Sequence, residues 1–177
     1  SQVMNASEYG DVPQNRERIY IVAFRDKKDY ANFSMPLPME LKKTLRDVID
    51  FEKKQDDKYY YSSKNCKFYK ELKRDMKNKH TIYQWRRVYV RENKSNLVPT
   101  LTANMGTGGH NVPLILTDDN KIRKLTPREC FRVQGFPKEF VLPEQSNTRL
   151  YKQAGNSVVV PVIKRIADNI ASAVKET

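Results

Sequence analysis

The sequence is poor in cysteine and in long apolar stretches. Its 177 residues include only two cysteines, Cys66 and Cys130, which is too few for a disulfide framework, and no CxxC or HxxxH spacing suggests a metal site. The sequence has no run of about 18 apolar residues, so no membrane span is predicted. It also has no charged segment followed by an apolar one at its N-terminus, so no signal peptide is predicted. These absences favour a reducing, cytoplasmic compartment and a protein without a metal centre.

Glycine is also scarce, and it is unevenly distributed. Three of the six glycines, Gly106, Gly108 and Gly109, lie in the segment 99–111, "PTLTANMGTGGHN", which carries no charge if His110 is neutral. Glycine lets a backbone approach a partner closely, so this segment is a candidate contact loop. A plain hairpin or Ω-loop is the commoner meaning of such a segment when it stands alone.

Positive charge, by contrast, is abundant and concentrated. Lys and Arg outnumber Asp and Glu by 33 to 21, which gives a net charge of +12 and a pI of about 9.7. Residues 42–94 hold 17 of the basic and 8 of the acidic side chains, together with six of the ten tyrosines. Cations bind phosphates, and aromatic rings between them pack on sugars or bases. The overall charge favours a nucleic-acid partner, although this segment taken alone fits a solvated lysine-rich surface about equally well. A membrane-surface protein is disfavoured, because the sequence lacks a large basic amphipathic helix.

The apolar pattern of the first half predicts few regular elements. Residues 18–24, "RIYIVAF", form an apolar run that suits a strand buried on both faces. Residues 25–40 are predicted to be a loop with two prolines, and a short helix is expected within 39–51. Residues 53–79 are basic and irregular with poor apolar periodicity. Residues 81–90, "TIYQWRRVYV", predict a strand.

The second half is more regular. Residues 112–116 predict a short strand, and Thr126 with Glu129 forms a capping box that starts a helix ending at Gly135. Residues 158–160, "VVV", predict another short strand. A final amphipathic helix then begins at Pro161, and its apolar face is expected to contain Val162, Ile163, Ile166, Ile170 and Val174.

Three sequence blocks resemble one protein family when they are taken together and in order. They are "PQNRERIY" (13–20), "RKLTPRECFRVQGFP" (123–137) and "YKQAGNSVVVPV" (151–162). They are similar to motifs VIII, IX and X of bacterial DNA cytosine-5 methyltransferases. That family places a variable target-recognition domain between motifs VIII and IX, and here residues 30–120, with the basic charge and the glycine segment, fill that position.

The resemblance implies a mixed α/β fold in two parts. A partial Rossmann-like S-adenosylmethionine methyltransferase domain is expected from residues 1–34 and 146–177. A small, irregular, β-rich target-recognition domain, including motif IX, is expected from residues 35–145. The terminal segments are expected to meet in one sheet region with an exposed apolar edge, which predicts self-association.

The resemblance also assigns site residues. Arg16 and Arg18 match the motif VIII arginines that contact the flipped cytosine and its phosphate; Arg18 is the favoured contact to the base, and Gln14 supports both. Asn156, Ser157 and Val158 match the motif X side of the S-adenosylmethionine pocket. The expected DNA-binding residues are Arg86, Arg87, Tyr89, Arg91, Thr100, Leu101, Asn104, Gly106, Gly108, Gly109 and His110. Motif IX, with Arg128, Gln134 and Gly135, is expected to be a scaffold.

Other family elements have no match in this sequence. The family's nucleophile follows a proline, whereas Cys66 follows Asn65 and Cys130 follows Glu129. The glutamate triplet and the glycine-rich cofactor loop are also absent. We therefore expect a C-terminal fragment or subunit that binds double-stranded DNA in the bacterial cytoplasm, completes the cofactor pocket with an N-terminal catalytic half, and is inactive alone. A stand-alone DNA-binding or regulatory subunit is the alternative, although motif X would then have no evident use.

Overall fold

The computed structural model describes residues 1–107 and 112–175 as a mixed α/β structure of short elements. The strands are β1 (Gln2–Asn5), β2 (Gln14–Asn15), β3 (Glu17–Tyr20), β4 (Tyr83–Trp85), β5 (Val90–Glu92), β6 (Val98–Pro99), β7 (Leu114–Leu116) and β8 (Ile122–Lys124). The helices are α1 (Ala6–Tyr9), α2 (Lys27–Asn32), α3 (Leu45–Val48), α4 (Tyr69–Asp75), α5 (Pro127–Val133), α6 (Asn147–Asn156) and α7 (Val160–Lys175), with a 3-10 turn at Asp57–Tyr59.

These strands form three small sheets. β1 pairs antiparallel with β3, and β2 pairs parallel with β6. The third sheet has the order β5-β4-β7-β8, and its neighbouring strands are antiparallel. The β2–β6 pair joins residues more than 80 positions apart in sequence, so it connects the N-terminal segment to the middle of the chain.

The N- and C-terminal segments meet in one apolar cluster, as expected, but helices rather than a common sheet bring them together. Met4 and Val12 pack with Val159, Val162 and Ile166. The expectation of a strand at 158–160 was wrong, because α6 ends at Asn156 and α7 already begins at Val160. Three β-branched residues before a proline fit a helix start as well as a strand.

The expectation that residues 18–24 are buried on both faces was also wrong. β3 ends at Tyr20 and pairs only with β1 in the described part of the chain. Tyr20 and Val22 lie against the terminal cluster, whereas Val3, Ile19 and Ile21 are 59%, 62% and 75% exposed. A two-stranded ribbon with one packed face leaves its other apolar face uncovered.

The largest core lies in the middle of the chain and includes α6. Its buried members range from Leu45 in α3 through Leu101 and Phe131 to Tyr151 and Ala154 in α6. Residues 146–156 therefore pack with α5 and its neighbours, although they were grouped with the terminal unit from sequence. In α7, Ala173 is buried and Val174 is half-exposed, so Val174 does not belong to the buried face.

Several local expectations were confirmed and others need correction. α5 starts with the capping box of Thr126 and Glu129, and Gly135 follows it with a positive φ of 81°. The strand expected at 112–116 is β7. However, residues 25–40 contain α2, the helix expected within 39–51 shortens to Leu45–Val48, and 81–90 forms a hairpin arm and turn instead of one strand.

A second apolar cluster supports the four-stranded sheet. Trp85 of β4 stacks on Phe68 with ring centroids 4.3 Å apart and an interplanar angle of 2°. Leu72 of α4 and Leu114 of β7 are buried beside them. This cluster explains why the basic segment 53–79 folds despite its poor periodicity: a few aromatic and aliphatic anchors are buried while its lysines remain outside. Within residues 1–107 and 112–175, no helix is long and apolar enough to cross a bilayer.

Candidate functional site

A polar, positively charged cleft lies where the β4–β5 hairpin meets the β2–β6 pair. Its volume is about 640 Å³. Arg86, Arg91 and Lys94 supply the charge, and no carboxylate lines the cleft in the part of the chain that the structure describes. The lining residues are Asn15, Gln84, Arg86, Arg91, Asn93, Lys94, Ser95, Pro99, Thr100, Thr102 and Asn104. An open basic groove of this kind suits a phosphate backbone.

The hairpin turn presents the arginines. Its loop closes through bonds from Arg86 N–H to the Tyr89 carbonyl (2.9 Å) and from Val88 N–H to the Arg86 carbonyl (2.8 Å), and Arg87 has a positive φ of 64°. Arg86, Arg87 and Tyr89 therefore lie in a turn and not on a strand, and only Arg91 lies on a strand, β5. Arg86 and Arg91 line the cleft, whereas Arg87 and Tyr89 are exposed outside it.

The next wall of the cleft is a loop held by its own hydrogen bonds. The Asn93 side chain donates to the Leu97 carbonyl (2.6 Å) and accepts from the Ser95 N–H (2.9 Å) and hydroxyl (2.6 Å). This ordering places Lys94 and Ser95 at the cleft. Asn93, Lys94, Ser95, Asn15, Gln84 and Thr102 were not identified from sequence, since single polar residues in loops or in strands of two or three residues give no periodic signal.

The glycine segment begins at the same cleft. The Thr100 hydroxyl donates to the Asn15 carbonyl (2.7 Å), and Thr100, Thr102 and Asn104 line the cleft. Leu101 is buried in the core. Gly106 has a positive φ of 83°, and a Cβ there would lie 2.4 Å from Tyr151 Cδ2, so this glycine is needed for close packing on α6. Gly108, Gly109 and His110 lie outside the described residues.

Arg16 lies beneath the cleft with its guanidinium bound to the backbone. It is only 7% exposed. Its Nη1 donates to the Leu101 carbonyl (2.8 Å), and its Nη2 donates to the carbonyls of Gly155 and Ser157 (both 3.1 Å). Burial, and then the nearby charge of Arg18, lowers the pKa of Arg16. The resemblance placed Arg16 beside Arg18 at the flipped cytosine and its phosphate, with Arg18 favoured for the base, and the environments of the two arginines indeed differ.

Arg18 is exposed, and its side chain remains near its own backbone. Its Nη1 donates to the Glu17 carbonyl (2.6 Å). Gln14, by contrast, is fully buried and donates to the Val133 carbonyl (3.0 Å) and to the Gln134 side chain (3.1 Å). Gln14 and Arg16 are therefore buried with their side chains bound inside the protein, whereas Arg18 is exposed.

The turn expected to face a cofactor connects α6 to α7. Asn156 and Val158 are exposed, and Val158 is 51% exposed despite its apolar side chain. The Ser157 hydroxyl donates to the Ala154 carbonyl (2.8 Å). Two exposed side chains on a fixed turn fit one wall of a ligand pocket and not a complete pocket.

Residues 123–134 surround a buried ion pair. Arg123 donates to both oxygens of Glu129 (2.7 and 2.8 Å), and both side chains are fully buried. Glu129 also accepts from the backbone N–H groups of Thr126 (2.7 Å) and Asp50 (2.9 Å). Gln134 donates to the Ala154 carbonyl (2.7 Å), so this block fixes α6 as well as β8.

Both cysteine thiols are poorly suited to nucleophilic chemistry. Burial raises the pKa of the Cys66 thiol, and complete burial raises the pKa of Cys130 well above its usual value. The thiolate is the reactive form of cysteine, so both side chains remain protonated near neutral pH. No group of three His, Cys, Asp or Glu side chains with the geometry for a metal ion occurs among residues 1–107 and 112–175.

Comparisons with known proteins agree on one family. The family model for C-5 cytosine-specific DNA methylases matches residues 1–172. The type II methyltransferase M.Bsp6I of Bacillus sp. (strain RFL6) is 62% identical over 169 residues, which cover 96% of this chain and 53% of that protein. M.SsoII of Shigella sonnei is 38% identical over 172 residues, which cover 96% of this chain and 43% of that protein. The chain thus spans about half the length of these curated relatives.

Solved structures show the same fold at low sequence identity. The crystal structure of Schizosaccharomyces pombe ("S. pombe") Dnmt2 methyltransferase superposes with a TM-score of 0.60 at 13% identity, covering 98% of this chain and 57% of that one. A Spodoptera frugiperda DNMT2 mutant gives a TM-score of 0.60 at 19% identity, covering 96% and 56%. Since the family model matches nearly the whole sequence, the chain belongs to the C-5 cytosine-specific DNA methylase family.

Proposed function

We propose that this chain is the DNA-recognising, C-terminal half of a bacterial DNA cytosine-5 methyltransferase of a restriction-modification system. In this proposal it binds a short duplex site, and it completes an S-adenosylmethionine pocket whose remainder belongs to an N-terminal catalytic half. The observation that carries the proposal is the basic cleft, because Arg86, Arg91 and Lys94 surround the same groove as Thr100.

The cleft offers two kinds of DNA contact. Arginine forks and Lys94 provide phosphate contacts, which give salt-dependent affinity. Amide and hydroxyl groups of Gln84, Asn104 and Thr102 are donors and acceptors of the type that reads base edges in the major groove. Arg18, which is exposed, remains our candidate for contact with the flipped cytosine. Arg87, Tyr89, Gly106, Gly108, Gly109 and His110 remain further candidates for DNA contact.

S-adenosylmethionine supplies the methyl group in this family. Asn156 and Val158 fit one side of its site, because both are exposed on a turn that Ser157 fixes through its bond to Ala154. The nucleophile must come from the other half, since both thiols of this chain are buried and protonated.

The exposed face of the β1–β3 ribbon is the proposed contact with that half. Val3, Ile19 and Ile21 leave an apolar strip uncovered, and relatives of this chain are about twice as long. Without its partner half, the same strip favours self-association. Equilibrium sedimentation of the chain with and without the partner half measures this directly.

Reconstitution and DNA binding test the proposal. Selection from a random duplex pool should enrich one short site, and Arg86→Ala or Arg91→Ala should each reduce the salt dependence of log Kd by about 0.9. Arg25→Ala is the control, because Arg25 is exposed and does not line the cleft. Labelled cofactor should give no turnover with the chain alone and turnover after addition of the N-terminal half. Site-specific binding without turnover in the mixture would favour a stand-alone DNA-binding subunit.

A further inference from the structure

Arg16 connects three segments that are distant in sequence. Its guanidinium donates to Leu101 on the cleft side and to Gly155 and Ser157 on the turn side. Its own backbone is fixed as well, since its N–H donates to the Asn5 side chain (3.0 Å) and its carbonyl accepts from Ala6 (3.0 Å).

The acceptors of Arg16 explain why a buried cation is stable there. Gly155 lies at the C-terminal end of α6 and Ser157 is its C-cap. Carbonyl groups at a helix C-terminus lack intrahelical partners and carry partial negative charge. A guanidinium spreads five N–H donors over a rigid planar fork and can reach acceptors on opposite sides, whereas the three donors of an ammonium group all lie on one nitrogen. The side chain is therefore matched to this place by its shape as well as by its charge.

The two segments that Arg16 connects face different ligands in the proposed function. Leu101 stands between Thr100 and Thr102, which both line the basic cleft. Ser157 stands between Asn156 and Val158 on the proposed cofactor side. Backbone contact is close at this point, because a Cβ on Gly155 would lie 2.2 Å from the Thr102 carbonyl carbon. A shift of one segment must therefore be transmitted to the other.

We propose that Arg16 is a positioning residue, which holds the DNA-facing segment at Leu101 against the cofactor-facing turn at Ser157 and does not itself contact DNA. This inference rests on the proposed function. It separates Arg16 from Arg18, which is exposed and available to DNA. It also makes the turn at 156–158 responsive to DNA binding in the cleft, with the Arg16 guanidinium as the link.

A charge-preserving substitution separates positioning from DNA contact. The 177-residue chain would be titrated into a labelled duplex carrying its selected site, at several salt concentrations. Arg16→Lys keeps the charge, but its single nitrogen cannot replace both Nη1, which binds Leu101, and Nη2, which binds Gly155 and Ser157, so we expect at least about a tenfold weaker Kd with an unchanged salt slope. Arg18→Ala is the matched control, and its slope should fall by about 0.9. Arg16→Gln, which keeps two amide donors without the charge, should also leave the slope unchanged.

The turn itself provides a second readout. Amide resonances of Ser157 and Val158 in the wild-type chain should shift when DNA is added, and Arg16→Lys should abolish the shift. Unfolding curves show whether each variant is folded. If Arg16→Lys is unfolded, Arg16→Gln takes its place in the affinity and resonance measurements.

Results that would overturn the inference differ from results that would contradict the proposed function. Near-wild-type affinity of Arg16→Lys together with a lower slope for Arg16→Gln would make Arg16 a phosphate contact and overturn the inference. Unmoved Ser157 and Val158 resonances in DNA-bound wild-type chain would also overturn it. Absence of any site-specific binding by the wild-type chain would instead contradict the proposed function itself, and the inference with it.

Discussion

Gly155 is the position where a single methyl group tests the packing between α6 and the cleft segment most directly. A Cβ at this residue would lie 2.2 Å from both the carbonyl carbon and the oxygen of Thr102, and 2.5 Å from the Ala103 nitrogen. All three are backbone atoms, so no side chain can rotate away. Helix propensity alone predicts that Gly155→Ala stabilises α6 by up to about 1 kcal/mol. Packing predicts the opposite sign.

The expected change in stability sets the small helix-propensity gain against two larger costs. Overpacking a close contact costs about 1–3 kcal/mol, and separation of α6 from Thr102 also weakens the bond between Arg16 and the Gly155 carbonyl, a charge-assisted bond worth about 1.5–3 kcal/mol. We therefore expect Gly155→Ala to lower the free energy of unfolding by about 2–3 kcal/mol. For a domain of this size, the melting temperature should fall by about 2–4 °C per kcal/mol.

Urea unfolding followed by circular dichroism measures this change. Gly10→Ala is the matched control, since its Cβ would meet the side-chain atom Val162 Cγ2 at 2.8 Å and no backbone atom closer than the Ala6 carbonyl oxygen at 3.1 Å, and we expect a smaller loss than for Gly155→Ala. Unchanged or increased stability of Gly155→Ala would refute the claim that α6 and the cleft segment are in rigid contact, and with it the physical basis for coupling through Arg16.

Two further predictions concern buried ionisable groups. Arg123→Met should destabilise the chain by about 3–5 kcal/mol in urea unfolding, because it leaves the buried carboxylate of Glu129 without its cation; a loss below about 1 kcal/mol would contradict this. Stability should also fall in alkaline solution, because burial raises the pKa values of Cys130 and Tyr151 in the folded state. The unfolded chain loses these protons first, so this stability is complete below about pH 8.5, the ordinary thiol pKa; it decreases above about pH 8.5 for Cys130 and above about pH 10 for Tyr151, by up to about 1.4 kcal/mol per pH unit for each group. A flat stability profile from pH 8 to 10.5 would exclude that effect.

Short-range signals in the sequence predicted individual elements well. The capping box at Thr126 and Glu129 and the stop at Gly135 were correct because each depends on hydrogen bonds within a few residues. The prediction of a strand at 158–160 was wrong because three valines carry too little pattern to separate a strand from a helix start. The local structure depends there on the packing of Val159 on Met4, more than 150 residues away. The prediction that residues 18–24 are buried on both faces was wrong for the same reason, since a strand's sequence does not show which layers cover it.

Arg16 marks the limit of reasoning by motif position. Alternation would place Gln14, Arg16 and Arg18 on one side of an extended segment, and the family resemblance assigned both arginines to the flipped cytosine and its phosphate. In the structure, the β2–β6 pair carries Arg16 under the cleft, where carbonyls of Leu101 and Ser157 surround it, and leaves Arg18 exposed. Those acceptors are 85 and 141 residues away, so no local pattern could identify them.

The same long-range contacts join the basic cleft to the turn at 156–158. α6 contributes Tyr151 and Ala154 to the central core, while its C-terminal carbonyls bind Arg16. Gln134 donates to the Ala154 carbonyl, so the segment 123–134 fixes the same end of this helix. The cleft and the turn are thus attached to one well-packed helix and not to separate loops. A rigid connection transmits displacement whereas a loose one absorbs it. DNA binding in the cleft should therefore shift residues 156–158 without any large movement of the fold.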